Sequence, residues 1–198
     1  MLYCNPHLDA MTQYDITQRE GLPNDLQTLL RDLPRDGWEA HPNFARATRN
    51  WMGAHQKFRA LGTALQGDAE DFLDTRIPEE RYAERLAHGG HALVQHLHGH
   101  HAWEDHRFFP ELEAVDPRFA RGLEMLESDH VALDGLLDTL TRQGNRVVQL
   151  ATLAPAQMGE EARPLRDTLE RLNRFLLRHL TDEEDLVVPI LLHHKLRG

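Results

Sequence analysis

Apolar residues recur along most of this chain at alternating spacings of three and four, the mark of helices with one buried face. Four long stretches carry the pattern. The first starts near Pro42, a residue type favoured at the first helical position, and reads Phe44, Thr48, Trp51, His55, Phe58 and, past a weak step at Gly62, Leu65. The second covers roughly 78–113 with a soft spot at Gly89-Gly90, and its later stripe reads Leu93, Leu97, His100, Glu104, Phe108, Leu112. The third follows Asp116-Pro117 and reads Phe119, Leu123, Leu126, His130, Leu133, Leu137, Leu140. The fourth, after the Pro155 region, reads Leu165, Leu169, Leu172, Leu176, His179, Glu183, Leu186, Ile190. Val, Ile and Thr are sparse and no stretch alternates with period two, so no sheet is expected. A near-3.5 repeat suits helices packed at shallow angles with knobs in holes. The pattern therefore predicts an all-α, up-down-up-down four-helix bundle over 41–198.

Residues 1–40 read as an arm. Leu22-Pro23-Asn24 suits a helix start, Leu26, Leu29, Leu30 and Leu33 share one helical face, and Pro34 ends the run. Arg35-Asp36-Gly37 then reads as a turn. The arm is predicted to hold a short amphipathic helix that packs on the main body.

Composition narrows the function more than the fold. With 198 residues the chain suits one domain plus an appendage. Its 22 Lys and Arg against 32 Asp and Glu give a net charge of −10, which argues against nucleic acid or an anionic membrane as the main partner. The single cysteine, Cys4, excludes an internal disulfide framework and a cysteine-based zinc site. No basic residue precedes Arg19, no apolar leader is seen, and the longest apolar stretch, Leu186 to Leu192, is interrupted by Pro189. A soluble, cytoplasmic protein is expected. The 14 histidines stand apart from this ordinary composition.

Each apolar stripe is interrupted by a residue of a metal-binding kind. His55 takes an interior slot in the first helix and His130 in the third. In the second and fourth, His100 with Glu104 and His179 with Glu183 occupy successive slots. Four residues turn a helix by about 40° and advance it about 6 Å, so each pair points at one region of the core. A lone histidine on an apolar face is ordinarily a hydrogen-bonded core residue. Here the intrusions repeat. His-x3-Glu-x5-Pro at His100, Glu104 and Pro110 recurs 79 positions later at His179, Glu183 and Pro189, and His55 and His130 are offset by 75. Two buried carboxylates beside four imidazoles call for a cation between them. Two divalent ions set against both carboxylates and a hydroxide would leave about one positive charge, which suits a buried dinuclear centre. Nitrogen and carboxylate ligands without thiolate leave iron, manganese and zinc open.

These residues resemble the hemerythrin-like family, whose modules are also called HHE cation-binding domains. The resemblance is carried by His55, by His100-His101-Ala102-Trp103-Glu104-Asp105 leading to Phe108-Phe109-Pro110, by Glu127-Ser128-Asp129-His130, and by His179-Leu180-Thr181-Asp182-Glu183-Glu184 leading to Val187-Val188-Pro189. It spans roughly 41–195 and leaves the arm outside. It implies a non-haem di-iron centre, oxo- or hydroxo-bridged, with Glu104 and Glu183 bridging, His55 and His100 on one iron, and His130 and His179 on the other. Oxygen-carrying members use two histidines four apart on the third helix. Here Leu126 and Asp134 stand four away from His130, so that second histidine is missing. His101 is the candidate substitute on the pattern of some relatives, and Asp134 the weaker alternative. On helical geometry His91 and His98 face away from His100, His96 lies one turn below it as a candidate neighbour of the site, and His106, His193 and His194 belong at the surface. Trp51 and Trp103 flank the site as packing.

Three functions remain open, in this order. A binding or sensing protein would take up O2, NO or a related small oxidant, or report on iron. An enzyme would turn bound oxidant over as an oxidase, a peroxidase-like protein or an iron-centre repair protein. A helical scaffold would hold a structural metal. The ferritin-like di-iron enzymes carry Glu-x-x-His on two helices, whereas this chain has one, Glu127 to His130, and lacks a second in any stripe. Iron is expected ahead of manganese or zinc, and a homodimer is left open.

Overall fold

The computed structural model describes residues 14–196. The arm's first thirteen residues, Cys4 among them, lie outside these. The described residues are helical and contain no strand. α1 (Thr28–Asp32) belongs to the arm. It is followed by α2 (Arg46–Leu73), α3 (Glu79–Trp103), a π-helical turn over Glu104–Phe108, α4 (Phe109–Val115), α5 (Ala120–Leu153) and α6 (Met158–His194). Short 3-10 turns at Arg35–Gly37, Pro117–Phe119 and Pro155–Gln157 join them. Three of the connections between long helices span only a few residues, which turns successive helices back on one another as in a four-helix bundle. No helix of the described residues is long and apolar enough to cross a membrane.

Two compact units share the long helices. One comprises residues 14–55, 104–130 and 177–196, the other 56–103 and 131–176. The second unit has a conventional core, in which Leu93, Leu97, Leu133, Leu137, Leu165, Leu169, Leu172 and Leu176 are fully buried. Phe72 stacks on Tyr82 with centroids 4.6 Å apart. The predicted soft spot at Gly89-Gly90 lies inside unbroken α3. A Cβ at Gly89 would sit 3.0 Å from a methyl carbon of Leu65, so the glycine serves close helix packing here and leaves the helix whole.

The first unit holds the arm. Leu22, Leu26, Leu29 and Trp38 join Trp51, Phe108, Phe109, Leu112, Leu126 and Val187 in one apolar cluster. Full burial of such side chains stabilises by about 1.5–3 kcal/mol each. Helical structure in the arm is shorter than the leucine pattern predicts: turns at 23–27 precede the single stretch of α1. The Trp38 indole N–H donates to the Leu33 carbonyl at 2.8 Å, tying the two ends of the Pro34 turn together.

Pro42 does not begin a helix. Residues 41–44 form a turn in which the Phe44 N–H reaches the His41 carbonyl at 2.9 Å and the Asn43 side chain donates to the Leu192 carbonyl at 2.8 Å. α2 starts only at Arg46. The repeated His-x3-Glu-x5-Pro motif also takes two forms. Pro110 lacks the N–H that would bond the carbonyl four residues back, and the wide turn at Glu104–Phe108 directly precedes it. Pro189 sits within α6, which stays α-helical around it.

Candidate metal centre

Stripe position and burial agree except at the end of α3, where His101, off the stripe, is more buried than His100. His55, Glu104, His179 and Glu183 are fully buried, His101 and His130 nearly so, and His100 is half-buried. His100 and His101 occupy the last turn of α3, whose chain continues without a break into Glu104 at the start of the π-turn. Candidate ligand atoms fall into two groups. His55, His100, Glu104 and Glu183 form one, His101, His130 and His179 the other, and within each group the atoms lie within 4.8 Å of one another.

Orientation follows from the outward-facing ring nitrogens. His55 Nδ1 lies 3.1 Å from Glu184 Oε1, His130 Nδ1 2.7 Å from Asp105 Oδ1, and His179 Nδ1 3.1 Å from Asp129 Oδ2. An ionised carboxylate only accepts, so each Nδ1 carries the proton and donates. Every Nε2 is thereby left with its lone pair pointing inward, the arrangement that fixes the tautomer of a metal-bound histidine. His55 Nε2 lies 3.5 Å and His179 Nε2 3.8 Å from the same oxygen, Glu183 Oε2. His130 Nε2 lies 3.8 Å from Glu104 Oε2. Both carboxylates thus face imidazole nitrogens.

Electrostatics test whether a cation fits. Among the described residues, no N–H or hydroxyl donates to either oxygen of Glu183. Burial first, and then the facing Glu104 carboxylate, push the Glu183 carboxyl well above the usual carboxylate range. A divalent ion beside it would reverse that penalty. Burial pulls the His179 imidazole down to about 4, against the upward pull of its bond to Asp129, which keeps it neutral as a ligand must be. The donor set is nitrogen and carboxylate, suited to a first-row transition ion. The residues fit such a metal.

Several expectations about neighbours change. Trp51 does more than pack: its indole N–H donates to Glu104 Oε1 at 2.7 Å, and its ring lies edge-on to His55 with centroids 4.3 Å apart. Asp134, the weaker candidate ligand, is exposed, whereas His101 is buried and joins the second group. His96 is exposed, because it falls on the outer face of α3, and is no neighbour of the site. His91, His98, His106 and His193 are exposed as expected, and half-buried His194 bonds Asp116 at 2.8 Å.

The carboxylates behind the histidines carried no assigned role in the sequence, although Asp105, Asp129 and Glu184 stand in the motifs that bear the resemblance. The available signal was their adjacency to the candidate ligands Glu104, His130 and Glu183. Arg19 and Arg35, which bind two of these acids, come from the arm and left no signal at all.

A family profile for the hemerythrin HHE cation-binding domain matches residues 46–191. No curated protein and no solved structure gives a significant match to the chain. The profile takes in every candidate ligand and all four long helices apart from the last few residues of α6, and stops short of the arm. The chain belongs to the hemerythrin HHE cation-binding family.

Proposed function

We propose that the seven residues hold two metal ions, iron in the working protein, and that the centre binds or senses O2, NO or a related small oxidant. One ion would be held by His55 and His100, the other by His101, His130 and His179, with Glu104 and Glu183 bridging. The observation that carries the two-ion reading is the position of Glu183 Oε2, near His55 Nε2 of one group and His179 Nε2 of the other. A single oxygen placed against histidines of both groups suits a bridging carboxylate.

When bound, a reduced iron pair supplies electrons to a diatomic oxidant. The protein's own residues prepare that chemistry. Glu184, Asp105 and Asp129 hold a proton on each outer ring nitrogen and keep the inner nitrogen free of one. Trp51 holds Glu104 by one oxygen and leaves the other directed toward His130. Phe109 lies parallel to His130 at 5.8 Å and Phe108 packs edge-on to Trp51 at 5.8 Å, which keeps bulk water from that side. His101 supplies the third nitrogen of its group, in place of the second third-helix histidine that the oxygen carriers use.

The test is exposure of the anaerobically reduced, iron-loaded protein to NO and separately to O2. A new charge-transfer band that reaches a fixed amplitude, with uptake that stops at a stoichiometric amount, supports binding. Continued multiple-turnover consumption of O2 or H2O2 that vanishes in Glu104→Ala would replace this reading with an enzymatic one. An unchanged spectrum would reject both.

A further inference from the structure

The arm lies outside the family match, yet two of its side chains end beside the candidate ligands. Arg19 is buried together with both of its acidic partners. Its Nε donates to Asp182 Oδ2 at 2.7 Å, one terminal nitrogen donates to Asp129 Oδ1 at 2.9 Å and to the Tyr14 carbonyl at 2.8 Å, and the other bonds Asp129 Oδ2. That same Asp129 oxygen accepts from His179 Nδ1. Arg35 repeats the arrangement. It donates to Glu184 Oε2 at 2.7 Å, and the other oxygen of Glu184 accepts from His55 Nδ1. Two chains of contact therefore run from the arm inward: Arg19 to Asp129 to His179, and Arg35 to Glu184 to His55. They end on histidines of different ligand groups.

We infer that the arm forms part of the metal centre's supporting shell, with Arg19 and Arg35 acting as positioning residues, one for each metal position. This rests on the two-ion reading above. The chemistry favours arginine over lysine at position 19, because the planar fork makes four bonds from three nitrogens and takes both Asp129 oxygens, whereas an ammonium has three donors on one nitrogen. Arg178 also binds Asp182, so Asp182 keeps a cation if Arg19 is lost, while Asp129 keeps His179 and no cation among the described residues. An Asp129 freed to rotate no longer fixes the tautomer or tilt of the His179 ring. Arg35 is partly exposed and shares itself with Asp185, so its hold on Glu184 is the weaker of the two. Linkage makes the effect reciprocal: arm docking tightens metal binding, and bound metal tightens arm docking.

Cobalt(II) titration of the full chain, followed by its visible d–d absorption, tests the inference. Steps are assigned by which one disappears in His179→Ala and which in His55→Ala. Arg19→Met should weaken the His179 step by about 10–100-fold, the usual cost of losing such a partner, and leave the His55 step unchanged. Arg35→Met should act on the His55 step alone, and less strongly. Arg19→Lys should recover part of the loss. Amide exchange in residues 22–33 should slow on cobalt loading of the wild type and slow less in Arg19→Met. Equal losses in both steps for every variant would reduce the arm to a general stabiliser and overturn the inference. So would steps left unchanged in Arg19→Met and Arg35→Met when the wild type binds two cobalt ions. A wild type that binds fewer than two would reject the two-ion reading itself. Should Arg19→Met fail to fold, Arg19→Lys and Arg35→Met decide the outcome by the same criteria.

Discussion

Glu183→Gln should change the sign of its effect on stability when metal is added. In the metal-free protein Glu183 is fully buried, receives no N–H or hydroxyl donor among the described residues, and faces Glu104. An ion in that position carries a desolvation penalty of several kcal/mol, or takes up a proton at a related cost. Glutamine keeps the shape, removes the charge and can donate its amide to Glu104. Relieving a buried polar group that lacks a donor stabilises by about 1–3 kcal/mol. For a domain of this size each kcal/mol moves the melting temperature by about 2–4 °C, so metal-free Glu183→Gln should melt about 2–12 °C above the metal-free wild type. With metal the order reverses. A ligand present at a thousandfold excess over its Kd stabilises by about 4.1 kcal/mol, more than the metal-free gain, and a variant lacking one anionic ligand loses most of this. Circular-dichroism melts of chelator-stripped and anaerobically iron-loaded protein, run side by side, give all four temperatures. A metal-free variant that melts at or below the wild type would show that the Glu183 carboxyl costs no stability there, and an equal metal-induced rise in both would show that it holds no metal.

Further expectations concern single contacts. Trp51→Phe removes the donor to Glu104 Oε1, a bond to a charged group worth about 1.5–3 kcal/mol, and should lower both the urea midpoint of the loaded protein and its iron content. Gly62→Ala would place a Cβ 2.2 Å from Asn173 Oδ1 and dislodge an amide that bonds the Gly62 carbonyl and Gln66; two bonds of about 1 kcal/mol each outweigh the gain of about 1 kcal/mol in helix propensity, so the urea midpoint should fall slightly. Hydrogen bonds from Arg118 hold the Asp116 carboxyl well below the usual carboxylate range. A depressed folded-state pKa adds stability above the unfolded value of about 3.9 and loses it as pH falls further. The destabilisation caused by Asp116→Asn should therefore be full at pH 6 and shrink below about pH 4, as read from urea midpoints of the two proteins. His98→Ala should leave metal content and stability unchanged.

What could be read without coordinates follows from how each feature is encoded. Periodicity is local and carried by many residues, so the four helices and the interior slots of His55, Glu104, His130, His179 and Glu183 were legible from spacing alone. Helix starts were less so. Pro42 has the right residue type for a first position, but Asn43 is drawn to the Leu192 carbonyl, a partner 149 positions away that no local pattern records. The π-turn was hidden for another reason: Pro110 and Pro189 occupy identical motifs, and only the surroundings decide which one widens the helix. At the site, residues that interrupt an apolar stripe announced themselves. Asp129 and Glu184 did not, since a buried acid beside a stripe looks like a solvated one until its partner is known. Those partners, Arg19 and Arg35, come from a segment with no periodic link to the bundle. The third dimension buries His101 and exposes Asp134, a difference that spacing alone does not record.

If seven side chains hold two iron ions, as proposed, metal analysis of the anaerobically purified full chain should return about two irons per chain, and its visible spectrum should gain a charge-transfer band on exposure to O2. Zinc alone, a single ion, or no metal would rule the proposal out.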